Sequence, residues 1–190
     1  MRRVALIVGV WAAVTGAGAS EAMAKGCVTA GDTVIKSSVV RLYDDAADRL
    51  YGCWLPTRKR VRLDAKLGRW RLANVHGRYA AVVFERAGSR RGVIVWARLG
   101  DSGVSRRIAY RFPRATDPPA YQLYVSKRGA IAFSAPSTIG YIAPPQPGAH
   151  PRYRLLDRGP RVSARSLWAD EKAGRLRWRS GWLRKSARWR

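Results

Sequence analysis

The stretch His76-Gly77-Arg78-Tyr79-Ala80-Ala81-Val82-Val83-Phe84 places a turn before a short apolar run that closes on an aromatic residue. That pattern reads as one buried β-strand with the turn that leads into it. The same design recurs at Asp48-Arg49-Leu50-Tyr51-Gly52-Cys53-Trp54, at Gly129-Ala130-Ile131-Ala132-Phe133 and at Gly174-Arg175-Leu176-Arg177-Trp178. A chain organised around one recurring strand is confined to an all-β fold. Val82–Phe84 and Val93–Trp96 are β-branched or aromatic at almost every position, so their hairpin is the expected centre of a sheet. Alternation in Val39–Tyr43, and again in Arg60–Leu63, marks strands with one buried face. Asp44–Leu50 has room for one helical turn at most.

Punctuation divides the chain into about four units, spanning roughly 27–66, 69–112, 119–157 and 160–190 within one domain over 25–190. Gly88–Gly92 is expected as a hairpin loop. Pro113, Pro118 and Pro119 mark a linker, and Pro144-Pro145-Gln146-Pro147-Gly148 a second break. Gly77, Gly129 and Gly174 lie 52 and 45 residues apart, and periods of about 40–50 residues carrying several short strands are those of propeller blades. Gly129–Phe133 after Leu123-Tyr124-Val125, and Gly174–Trp178 after Leu167-Trp168, resemble the core of TolB-like and WD-repeat-like β-propeller blades. Val40–Leu63 is similar to secreted bacterial proteins built on such blades. The resemblance implies antiparallel sheets in degenerate blade-like repeats, a small or incomplete β-propeller, with a β-sandwich as the alternative. It implies a binding or scaffolding role and carries no catalytic residues.

The N-terminus has the form of a secretion signal. Met1-Arg2-Arg3 is a positive start, Val4 to Val14 is apolar, and Ala22-Met23-Ala24 fits an A-x-A cleavage site. Cleavage there, with residues 1–24 as the signal, leaves 35 cations against 11 anions, a net charge of +24. The expected location is secreted or extracytoplasmic, at the cell envelope, with no transmembrane span after cleavage. Cys27 and Cys53 are the only cysteines, and in an exported chain an even pair is most simply one disulfide. It would close a loop of about 25 residues and contribute roughly 3–3.5 kcal/mol. A lipid-anchored Cys27 is the rival reading, with Lys25 where such a site wants a small residue. A metal site lacks partners, since His76 and His150 stand 74 positions apart; neither metal nor cofactor is expected.

Known catalytic patterns are missing. Ser134 and Ser166 lie outside any Gly-x-Ser-x-Gly, neither histidine has an acid beside it in sequence, and no P-loop or Gly-x-Gly-x-x-Gly occurs. The adjacent pairs Asp44-Asp45 and Asp170-Glu171 suit turns better than paired acid–base work. The charge is the stronger lead. Of 37 cations, 30 are Arg, spread along the chain with clusters at Thr57–Arg62, Arg90-Arg91 and Arg106-Arg107; such clusters protect sheet edges. Arg175 to Arg190 holds seven cations, no acid and three tryptophans. Its alternation puts arginine on one face of a strand and apolar groups on the other. Two readings are open there: core tryptophans under solvated arginines, or a face of Arg175, Arg177, Trp178, Arg179, Trp182 and Arg184 that binds anionic ligands by charge and stacking. The partner expected for such a face is an anionic envelope polymer or lipid headgroup, with nucleic acid less expected of an exported protein. The function these features support is a secreted β-repeat binding or structural module; the alternative is an exported hydrolase of envelope polymers.

Overall fold

The structure, a computed structural model, describes residues 27, 29–63, 69–85, 92–100, 108–111, 122–144 and 152–189. The expected signal segment, the 112–119 linker, most of the 88–92 loop and the Arg90-Arg91 and Arg106-Arg107 clusters lie outside the described residues. The elements of the described residues from Asp32 onward are strands, and they form four antiparallel meanders in chain order. Sheet A holds β1 (Asp32–Lys36), β2 (Val40–Asp44), β3 (Leu50–Trp54) and β4 (Lys59–Arg62). Sheet B holds β5 (Arg69–His76), β6 (Tyr79–Glu85), β7 (Gly92–Arg98) and β8 (Ile108–Arg111). Sheet C holds β9 (Gln122–Val125), β10 (Ile131–Ala135), β11 (Thr138–Ile142) and β12 (Tyr153–Arg158). Sheet D has three strands, β13 (Val162–Asp170), β14 (Arg175–Ser180) and β15 (Leu183–Arg188). The all-β, blade-like expectation holds.

The sheets pack in sequence, A on B, B on C and C on D, with β1, β5, β9 and β13 meeting in that order. The central strands of sheet B, β6 and β7, are buried on both faces. Ala80, Val82 and Phe84 of β6 point towards Val40, Leu42 and Leu50 of sheet A. Ala81 and Val83 point the other way, towards Leu123, Ile131 and Phe133 of sheet C. This is why the β6 run is continuously apolar: a period of two with both faces in the core leaves no polar position. The β6–β7 hairpin, paired without a bulge from Tyr79↔Arg98 to Glu85↔Gly92, is indeed the centre of its sheet.

Gly77, Gly129 and Gly174 occupy one structural position, each with positive φ in the turn between the first and second strands of its sheet. Gly129 is further constrained, because a Cβ there would lie 2.8 Å from the Tyr79 ring, which stacks on Trp96. The motif in the first unit departs from this frame. Asp48 supplies the positive φ instead of glycine, and its turn leads into the third strand, β3. The 45–49 segment is no helical turn but a hairpin turn held by Asp45, whose Oδ1 accepts from the Ala47 and Arg49 amides at 3.0 and 3.1 Å. The Arg49 guanidinium against this carboxylate brings its pKa down to about 2.

Cys27 and Cys53 form a disulfide, with Cα atoms 5.8 Å apart. The bond lies on the outer face of sheet A, packed with Tyr43, Tyr51 and Leu55, and ties the residues before β1 across that face. Gly31 has φ +62°, and a Cβ on it would collide with the Asp44 carbonyl oxygen, so the covering segment runs against the end of β2 with no room for a side chain at Gly31.

Candidate functional site

Sheet D ends the stack, and its two faces differ completely. Leu176 and Trp178 of β14 point inward with Leu167 of β13 and join Ala132 and Ile139 of sheet C in one buried cluster. The alternate residues Arg175, Arg177 and Arg179 point outward and are exposed. Register carries the pattern onto β15, where Arg175 lies opposite Arg188, Arg177 opposite Ser186 and Arg179 opposite Arg184. From β13, Trp168 pairs with Arg177 and is 51% exposed. The Arg177 guanidinium sits over its ring at 5.2 Å and also contacts Asp170 at 3.1 Å. Arg175 reaches the Ser186 hydroxyl at 3.3 Å. A shallow groove of about 560 Å³ runs over this face.

A bulge in β13 shapes one side of the groove. The ladder between β13 and β14 is irregular between Ser163 and Trp168, and Ser166 fills the gap. Its hydroxyl donates to the Ser163 carbonyl at 2.6 Å and accepts from the Arg179 amide at 2.8 Å. Ser166 therefore has a structural role in the bulge, and Ser134 is wholly buried in β10.

The inner face is locked to sheet C by Asp157, at the end of β12. Its carboxylate accepts from Trp178 Nε1 at 2.7 Å and from Lys185 Nζ at 2.9 and 3.0 Å. Burial opposes ionisation of this group, but the Trp178 and Lys185 donors outweigh it and hold its pKa below the usual carboxylate range. Alongside, Gln122 Nε2 donates to the Arg165 carbonyl at 3.0 Å and the Tyr124 hydroxyl to that of Leu167 at 3.3 Å; burial raises the Tyr124 pKa.

Of the residues expected on an anion-binding face, Arg175, Arg177, Arg179 and Arg184 share the exposed surface. Trp178 does not: at 5% exposure it belongs to the core, because an odd–even step along β14 reverses the side of the sheet. Trp182 sits in the β14–β15 turn and is 86% exposed. Trp168 and Arg188 belong to the face, although sequence did not point to them. Continuing the alternation across the turn would have found Arg188. Trp168 was hidden, because the bulge shifts the phase of β13.

A second feature joins distant parts of the chain. His76 Nδ1, at the end of β5, lies 2.7 Å from Glu171 Oε1 in the β13–β14 turn, so the histidine without an acid beside it in sequence has one in space. The adjacent carboxylates Asp170 and Glu171 thus serve separate partners. Beside them a groove of about 320 Å³ is lined by Ser126, Lys127, Arg128 and Lys172 among others; the Ser126 hydroxyl accepts from the Ala130 amide at 2.9 Å. Among the described residues no three His, Cys, Asp or Glu side chains gather as a metal-ligand group, and no helix is long and apolar enough to cross a membrane. No protein family, curated protein or solved structure matches the chain.

Proposed function

We propose that this protein is a secreted binding module of the cell envelope that engages anionic polymers or headgroups through the outer face of sheet D. One observation carries the reading: five arginines and an exposed tryptophan share one sheet face in register, with Asp170 the acid that pairs there. Exposed guanidinium groups on a fixed two-strand lattice bind phosphate or carboxylate groups by charge-assisted hydrogen bonds, and the tryptophan adds a stacking surface. The leader-like first 24 residues and the disulfide are compatible with an extracytoplasmic address, and the blade resemblance accords with a binding role.

The test is binding of the purified protein to isolated cell wall, anionic liposomes and neutral liposomes over a salt series. Retention on an anionic surface at about 0.15 M salt, lost when Arg175, Arg177, Arg179 and Arg184 are replaced together by serine, is the expected result. Binding to every polyanion alike that vanishes with salt, and is indifferent to that replacement, would overturn it. The hydrolase reading has one observation in its favour, the His76–Glu171 pair. It predicts release of fragments from envelope polymers that His76→Ala abolishes.

A further inference from the structure

The end of sheet D that carries the β14–β15 turn differs from the other end. Gly181 and Trp182 form a two-residue connection between Ser180 and Leu183. Gly181 has φ +63°, and its amide donates to the Arg161 carbonyl at 2.7 Å, which fastens the turn to the start of β13. The apolar side chains at this end are exposed: Trp182 in the turn to 86% and Leu183, the first residue of β15, to 45%. Arg161 lies against Gly181, and the Arg179–Arg184 pair is the second rung from the turn, behind Ser180–Leu183. The acids of sheet D, Asp170 and Glu171, sit at the far end of β14, roughly 17 Å away at the strand rise. Asp157 of the adjoining sheet faces inward onto Trp178 and Lys185.

We propose that this tip is a bilayer-surface anchor: Trp182 and Leu183 seat among the headgroups of an anionic leaflet while Arg161, Arg179 and Arg184 contact the lipid phosphates. The inference rests on the anionic-surface reading above and commits it to lipid. The chemistry is that of membrane interfaces, where an indole ring settles at headgroup depth and nearby cations are drawn to the negative surface. A soluble anionic polymer has use for the arginine lattice but none for an indole held beyond its end. The tip also suits insertion mechanically, since a two-residue turn tied to Arg161 has little conformational freedom left to lose on binding.

The experiment measures binding of the purified protein to vesicles of phosphatidylglycerol in phosphatidylcholine, to phosphatidylcholine alone, and to linear polyphosphate in solution. Trp182→Ala should weaken binding to the anionic vesicles on the order of tenfold and leave polyphosphate binding within about twofold. Arg179→Ser with Arg184→Ser should weaken both. Vesicles with brominated acyl chains give a second readout: they should quench the parent's tryptophan emission more than that of Trp182→Phe. Vesicle binding that Trp182→Ala leaves intact, or equal quenching of parent and Trp182→Phe, overturns the anchor. Polyphosphate binding without vesicle binding also overturns it while sparing the polymer reading; binding to neither overturns both.

Discussion

The two end sheets of the stack begin from similar materials and finish differently. Sheet A and sheet D each bury one face against a neighbour and present arginine beside an aromatic residue on the other. Arg41 lies over the Tyr43 ring at 4.9 Å and Arg177 over Trp168 at 5.2 Å. On sheet A the disulfide draws Cys27, Ala30 and Gly31 over the outer face, and Arg41 becomes 5% exposed. Its guanidinium then donates to the Ala30 and Gly31 carbonyls at 2.8 and 2.9 Å, and to the Thr33 hydroxyl at 2.8 Å. On sheet D nothing among the described residues covers the face, and the arginines stay in solvent. An arginine in a strand is thus a buried residue or a solvent-facing one according to what the chain lays over it. The difference also separates stability from binding, which makes it testable.

The largest effect is expected at the covered end. Arg41→Ala leaves the Cys27, Ala30 and Gly31 carbonyls without this donor and empties a buried position, and should lower stability by about 3 kcal/mol in denaturant unfolding; a loss as small as that of Arg177→Ala would dissolve the distinction. Cys27→Ser releases the cover and should cost about 3 kcal/mol. It should also loosen Arg41, seen as faster amide exchange at Gly31 and Thr33. Equal melting of this variant and the oxidised parent would show that the cover holds without its tether.

A smaller effect belongs to the seam that carries sheet D. Asp157→Asn weakens the contacts to Lys185 and Trp178 and should cost about 1–3 kcal/mol near neutral pH. The carboxyl's pKa is lower folded than unfolded. Its contribution is therefore complete above the unfolded value of about 4 and is lost as pH falls through the lower folded value. The parent should lose stability below about pH 4 more steeply than the variant. Parallel acid profiles would mean that Asp157 does not hold the seam as a carboxylate.

Much of the architecture was legible because it is written in local pattern. The continuous run of β6 declares two buried faces, the alternation of β14 declares one, and glycines 77, 129 and 174 mark equivalent left-handed turns. The disulfide followed from a pair of cysteines and a leader-like start. What stayed hidden depends on partners far along the chain. Arg41 looks like any polar position of an alternating strand until Cys27, Ala30 and Gly31 fold over it. His76 meets Glu171 across 95 positions, and Asp157 gains its role only when sheet D docks. Trp178 shows a different limit: its composition suggested a binding face, but its parity sent it to the core.

The smallest stability effect should come from Arg179→Ser, and for that reason it sharpens the comparison most. Arg179 is exposed on a central strand, its backbone amide is held by Ser166, and its side chain faces solvent. Substitution should change stability by no more than about 0.5 kcal/mol. Surface charge nevertheless acts on a polyanion at every contact, so binding to an anionic surface should weaken and its salt dependence should become shallower. If Arg179→Ser and Arg60→Ser, the latter on the exposed edge strand β4 of sheet A, weaken binding equally, the protein binds through net charge alone. If only the substitution on sheet D matters, the open face is the site, because two exposed arginines of equal charge then differ only in the lattice around them.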